Sequence, residues 1–260
     1  MLASLMVPVM NVALVAGVAV VMPLSLEDLN FRRWLLAAAS VGFSLLFEPG
    51  PLAAIFVAPW VALTVVAGVG ALKDRDGWLA LVAGFAGTAA LALVCSRFGW
   101  APFGVQEPIV KLTALHFTYA GAGTLSLARR VHLLRPGRWS WLARTLVLVA
   151  PPLVASGFVW RSAVGQLGGA VVMTLGVWLV ALLQVPDAVD GSARLFWRVS
   201  CASPFVAMVL AVTWAANQYF PSVPALTVPD MVPTHGALNA FGFVLCAHLA
   251  VWTEFAPRER

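Results

Sequence analysis

The chain has 260 residues, 61% of them apolar and only 10% charged, against about 25% charged in an ordinary soluble domain. That composition excludes a water-soluble globule. The net charge of +5 does not point to nucleic acid either, because the basic residues are scattered among short connections instead of lying along one face.

Apolar stretches of about 20 residues recur along the chain, the length that a hydrocarbon layer demands of a helix. The expected fold is therefore all-α, a polytopic transmembrane helical bundle of one integral membrane domain over 1–260. In chain order the stretches predict about nine helices, at 3–24, 33–47, 51–72, 78–96, 108–128, 141–160, 163–185, 197–218 and 232–252. The first has no Lys or Arg before it and no small-residue cleavage site ahead of Glu27, so it reads as a membrane helix and not as a signal peptide. The second is short. It meets the third at Phe47-Glu48-Pro49-Gly50-Pro51, where two prolines and a glycine cannot continue a helix. This is a tight hairpin or a re-entrant pair, and the latter leaves seven full spans. In the seventh helix Gly165, Gly168, Gly169, Ala170 and Gly176 permit close helix packing.

Loop charge sets the orientation, since cytoplasmic connections carry the excess Lys and Arg. With these helices, all but three of the 16 basic residues, Arg258 and Arg260 included, fall on one side, leaving Arg97, Lys111 and Arg161 on the other. The N-terminus is thus expected outside and the C-terminus inside, in a bacterial cytoplasmic membrane. Trp34, Trp78, Trp139, Trp141, Trp160, Trp197 and Trp252 fall near predicted helix ends, as an interfacial aromatic belt requires.

Ionisable residues at membrane depth are costly unless paired or hydrated, so each is a functional candidate. Here Glu48, Arg97, Glu107, Lys111, Arg161 and Asp230 gather at the outer helix ends, with His116 and His235 further in. Glu107 and Lys111 are four residues apart and share a helix face. His116 lies roughly 13 Å below Glu107 at 1.5 Å per residue. His235 and Asn239 share a face of the last helix, where Thr234 is placed to cap or orient, and Gly236 and Gly242 admit a close neighbour. Glu48, flanked by Phe47 and Pro49, is expected to be desolvated, which favours a protonated, proton-donating carboxyl. Each set also has a structural reading: an interfacial ion pair, histidines satisfied inside the bundle, a carboxylate among lipid headgroups. His132 and His248 do not read as catalytic. Cys95, Cys201 and Cys246 show no metal or disulfide spacing.

No Walker loop, HExxH, GxSxG or two-histidine-one-carboxylate pattern occurs, and no acidic cluster suited to magnesium and diphosphate. No metal or cofactor is expected.

Two segments carry a resemblance. Residues 107–121, EPIVKLTALHFTYAG, and 235–243, HGALNAFGF, resemble the bacterial YndJ-like family of membrane proteins, in which a second histidine often stands where this chain has Thr118. Such proteins are often labelled transporters. The sequence is also similar to actinobacterial membrane-bound terpene cyclases of prenylated indole, drimentane-type, pathways. That resemblance implies a cofactor-independent, protonation-initiated cyclisation of a lipophilic, farnesylated substrate. Glu48, Glu107 and Asp230 are its candidate acids, and His116, His235 and Asn239 its base or orienting groups. Lys111, Trp60, Phe117, Tyr119, Trp214 and Phe243 would line the substrate pocket. The alternative is a YndJ-like proton-coupled transporter using Glu107, Lys111, His116 and His235 as a relay. Expected partners are the prenylated small molecule and membrane lipids, with no nucleic acid.

Overall fold

The computed structural model describes residues 2–184, 191–224 and 226–255. Among them are nine helices and no strand: α1 Ala3–Ser25, α2 Phe31–Ser44, α3 Pro51–Lys73, α4 Gly77–Phe98, α5 109–134, α6 Arg138–Val159, α7 Ala163–Leu183, α8 Gly191–Tyr219 and α9 228–255. The protein is an integral membrane helical bundle. Seven helices are long and apolar enough to cross a bilayer, and they are not the seven of the re-entrant alternative. That alternative removes α2 and α3 together, whereas α3 is a full 23 residues and α2 a short 14. The other helix outside the set is α5. It is long enough to span about 30 Å at 1.5 Å per residue, but Lys111, His116 and its terminal arginines make it the most polar of the long helices.

The turn between α2 and α3 is stapled from three sides. Ser44 Oγ donates to Ala53 O and Ser40 Oγ to Phe56 O, each at 2.6 Å. Phe47 stacks on Phe56 at 5.5 Å, and the Gly50 N–H donates to Arg97 O at 2.7 Å. Arg97 donates in return to Phe47 O. These contacts put the 45–50 turn at the same end of the bundle as the close of α4, where Gly99 at φ 78° supplies the left-handed residue that ends the helix.

At the opposite end Arg129 of α5 bridges Glu27, just past α1, and Asp76, at the start of α4. Asp76 accepts the Leu79 N–H at 2.9 Å, capping α4, and Arg129 Nη2 at 2.5 Å. Burial pushes this carboxyl upward. The Leu79 N–H, the Arg129 guanidinium and the Trp78 N–H outweigh burial and hold it below its usual 3.8. A depressed carboxyl contributes stability that is complete above its unfolded value and is lost as pH falls through the folded one. Asp76→Asn, which keeps an acceptor for the cap, is expected to lower stability in detergent by about 1 kcal/mol at neutral pH. The gap to wild type should close on acidification below pH 3.8. A gap of constant size would mean that the charge contributes nothing. Arg33 and Arg75, expected at this end, lie in or beside the two connections joined here, Arg33 donating to Asp28 Oδ1 at 3.0 Å; Arg258 and Arg260 lie outside the described residues.

Three helices depart from α geometry. α1 is a π-helix over Gly17–Val21, α5 over Phe117–Gly123, and α9 over Val232–Gly236 and Leu238–Leu245. These segments pack on one another in the middle of the bundle. Glycine makes the approach possible: a Cβ on Gly17 would lie 2.7 Å from Thr118 Cγ2, and one on Gly123 would lie 2.6 Å from Val244 Cγ1. The wider π turn strands backbone acceptors, and hydroxyls fill them, Thr124 donating to Tyr119 O at 2.9 Å and Thr118 to Ala114 O at 2.8 Å. Tyr119 then reaches across to donate to Ala13 O at 2.7 Å, fastening α5 to α1.

α6 and α7 form an antiparallel pair with small residues at the seam. A Cβ on Gly169 would sit 2.7 Å from the Val154 side chain, and one on Gly176 would sit 3.0 Å from Leu146 Cβ, while Gly168 faces open space. Of the tryptophans assigned to an interfacial belt, Trp139, Trp141, Trp160 and Trp252 are exposed, but Trp34 and Trp197 are core residues. Trp34 is withdrawn from the surface because its Nε1 donates to Asp28 at 3.0 Å.

Candidate functional site

A cavity of about 580 Å³ lies among α1, α4, α5, α6, α7, α8 and α9, with Pro102, Phe103 and Val105 at its edge. Its wall is almost wholly apolar. From the candidates read in the sequence it gathers His116, Phe117, Tyr119, Trp214, His235, Asn239 and Phe243. The first three belong to α5 and the last three to α9, and each helix is in or entering its π segment at those residues. A π turn inserted in an α-helix re-aims the side chains around it, and such turns concentrate at functional sites.

Most polar groups on the wall are already committed. Tyr119 is bonded to Ala13 O, Thr113 to Ile109 O at 2.9 Å, Thr124 to Tyr119 O, and Gln166 to Gly157 O at 3.3 Å. The imidazoles differ. His235 Nδ1 lies 2.7 Å from Ala207 O, and a carbonyl only accepts, so the proton sits on Nδ1 and Nε2 keeps its lone pair. Asn239 Nδ2, 3.3 Å from the same Nδ1, faces a nitrogen whose proton is already used; its other contact is with Met208 Sδ at 3.6 Å. His116 Nε2 is buried with no hydrogen-bond partner among the described residues. The cavity therefore offers one imidazole with a fixed tautomer and a bare nitrogen, while a second imidazole on its wall keeps an orphaned nitrogen sealed from the space. Phe158 stacks on Trp214 at 5.9 Å to close the side against α6.

The remaining candidates stand elsewhere. Among the described residues no carboxylate lines the cavity. Glu48 is exposed at its turn despite its apolar neighbours, because the staples that fold the turn use backbone carbonyls and leave the carboxylate outside. Glu107 is exposed as well, and no ion pair joins it to Lys111 among the described residues: the carboxylate meets the Lys111 backbone N–H at 3.4 Å, while the buried ammonium donates to Asn11 Oδ1 of α1 at 2.6 Å. Asp230, half-buried, accepts the Thr227 hydroxyl at 2.6 Å. Trp60 is fully buried away from the cavity. Thr234 orients nothing in the site, since its hydroxyl returns to Asp230 O of its own helix at 2.7 Å. Gly242 does admit a neighbour, with Ser203 of α8 against it, whereas Gly236 meets only Met231 O of its own helix.

One polar constellation was not anticipated. His248, deep in α9, donates from Nδ1 to Val244 O at 2.8 Å, and its Nε2 stands 2.9 Å from Ser25 Oγ and 3.1 Å from Ser126 Oγ. This joins α1, α5 and α9 just beyond their π segments, and all three side chains are shielded. Its groups satisfy one another and none of them lines the cavity, so it is an internal fastening, of the kind worth about 0.6 kcal/mol per hydrogen bond inside a membrane.

Among the described residues no group of three or more His, Cys, Asp and Glu is placed to hold a metal ion. Compared with known proteins, the chain matches no curated protein and no solved structure. A family model described as YndJ-like protein matches residues 12–243, which takes in every helix that lines the cavity, and the chain accordingly belongs to the YndJ-like family.

Proposed function

We propose that the protein is a membrane-bound isomerase of the terpene-cyclase type, which takes a lipophilic, prenylated small molecule into this cavity and rearranges it by proton transfer. The observation that carries the reading is an apolar chamber with His235 Nε2 as its available base. In such a reaction a proton adds to an alkene, the resulting cation is captured by ring closure along the apolar wall, and a proton leaves the adjacent carbon to restore a double bond. No atom is gained or lost. His235 Nε2 takes the departing proton, the π face of Trp214 stabilises the passing cation, and Phe243 and Phe117 shape the chain. Among the three carboxyls we assign the initiating acid to Asp230, because its neighbours Val228 and Met231 line the cavity and its side chain is half-buried, while Glu48 and Glu107 are exposed. By loop charge the cavity lies in the outer half of a bacterial cytoplasmic membrane.

The test is conversion of farnesylated indoles and phenols by membranes carrying the full chain. Wild type is expected to yield an isomer of unchanged mass that Asp230→Asn loses, with Glu48→Gln and Glu107→Gln within about 2-fold of wild type, as expected of exposed side chains outside the site. No isomer across the panel overturns the reading.

A second reading, proton-coupled transport, draws on a different observation. The Arg129 bridge to Glu27 and Asp76 closes the end of the bundle opposite the cavity, as a gate closes one side of an alternating-access protein. Proton-driven uptake of a lipophile by proteoliposomes, with no change in its structure, would favour it over the isomerase.

A further inference from the structure

Beside the cavity, the outer wall of α4 and the 100–103 connection enclose an apolar groove of about 450 Å³. The two spaces adjoin across a shared wall. Leu91, Cys95, Pro102 and Phe103 line both, so one face of each belongs to the chamber and the other to the groove. The groove opens outward, where Phe98, Trp100 and Phe103 are 54%, 63% and 85% exposed. At the end of a helix this apolar, Phe98 and the Trp100 and Phe103 of the following connection face the lipid side. Phe103 holds φ 56° between Gly99 at 78° and Gly104 at 74°, a left-handed backbone that a bulky residue rarely adopts. This connection leaves α4 abruptly at Gly99, and its Pro102 and Phe103 form part of the chamber's edge.

The chemistry of the wall selects what uses such an opening. Among the described residues no carboxylate, lysine or arginine lines the chamber. The two cations buried nearby are engaged outside it, Arg97 by Phe47 O and Lys111 by Asn11. A phosphate or ammonium head in the chamber would thus lose its hydration with no counter-charge, a cost of several kcal/mol. His235 Nε2, a bare acceptor, asks for a donor: a hydroxyl, a phenol or an indole N–H.

We infer that the groove between α4 and the 100–103 connection is a lateral port to the bilayer, and that its occupant is the tail of an uncharged lipid whose hydrogen-bond-donating head rests on His235 Nε2. The inference relies on the proposed reading of the chamber as a lipophile site, and adds the route and the charge class. Ligand exchanges with the hydrocarbon layer and does not pass through water. Val94, half-buried and lining the groove but not the chamber, is the natural place to narrow the port without touching either imidazole.

The experiment uses the full chain in phosphatidylcholine vesicles and a fluorescent neutral probe, 2-farnesyl-1-naphthol, with its methyl ether and its phosphate monoester as controls, followed by stopped-flow energy transfer from tryptophan. Wild type is expected to bind the naphthol, the ether roughly tenfold more weakly for want of the donor, and the phosphate more weakly still. Val94→Trp should slow both association and release by roughly tenfold while Kd stays within about 2-fold, since a narrowed passage alters rates and not the end states. Val94→Ala should speed both, which separates narrowing from misfolding. If no naphthol binds to wild type, the reading of the chamber as a lipophile site falls, and this inference with it. If the naphthol binds but both Val94 variants leave its rates unchanged, the chamber reading stands and the port is overturned. If the phosphate binds as tightly as the naphthol, the neutral class is overturned.

Discussion

Turnover should fall by about 10²- to 10⁴-fold in His235→Gln, the range that a lost general base commands, with ligand affinity little changed. Glutamine presents a carbonyl oxygen that still accepts a hydrogen bond from a ligand head, but it does not take up a proton at neutral pH. The substitution therefore separates holding the substrate from deprotonating it. His235 is the imidazole for which this split is expected, because Ala207 O at 2.7 Å fixes the Nδ1 proton and aims the other nitrogen's lone pair away from α8. The readout is kcat against KM for isomer formation, beside direct probe binding. A fall in affinity with kcat unchanged would make His235 a binding residue only. A fall of equal size in His248→Gln would point to the packing of α9, since His248 touches Ser25, Ser126 and Val244 but not the chamber.

The largest expected effect on stability is at Gly157. A Cβ there would sit 2.6 Å from Gln166 N and 2.8 Å from Gly165 C. Those are backbone atoms in the first turn of α7, held by the Ser162 cap on the Gly165 N–H at 3.1 Å. They cannot rotate aside as a side chain does. Gly157→Ala is expected to lower stability by about 1–3 kcal/mol, the cost of overpacking, and to loosen the cavity wall carried by Val154, Ala155, Phe158 and Gln166. Gly168→Ala is the counter-case one helix away. Nothing lies within 4 Å of its added Cβ, and the better helix former should raise stability by about 0.5–1 kcal/mol. Unfolding in mixed micelles reads both. Equal effects at the two positions would show that propensity and not the seam decides.

The helices were legible in the sequence because the bilayer imposes them. A run of about 20 apolar residues has few other solutions, and all nine appear, although α5 runs six residues past its expected end and α8 begins six residues before its expected start. The site was legible in part, for reasons of range. His235 and Asn239 share a face because four residues is about one turn, and His116 followed from its depth on an apolar helix. What failed depended on contacts between distant segments. Glu48 was expected to be buried by Phe47 and Pro49, but those neighbours do not decide which way the turn folds; Ser40, Ser44 and Arg97 do. The Glu107–Lys111 pair fits helix spacing, yet α5 begins only at Ile109, so Glu107 precedes the helix, and Asn11, a hundred residues earlier, takes the ammonium. His248 looked idle because Ser25 and Ser126 reveal their proximity only once α1, α5 and α9 are packed. Gln166 and the π segments left no local signal at all.

Those π segments bear on how the chain tolerates insertion and deletion. A π turn is what an α-helix makes of one surplus residue, and removing one residue from 117–123 would let α5 close into continuous α geometry without breaking the chain. Everything beyond the deletion would then swing by about 100° around the helix axis, the angle of one residue at 3.6 per turn. Arg129 would leave Glu27 and Asp76, and Ser126 would leave His248, while His116 kept its place on the chamber wall. The π segment is thus a phase adjuster, letting the chamber half and the charged half of a single helix each face its own partners.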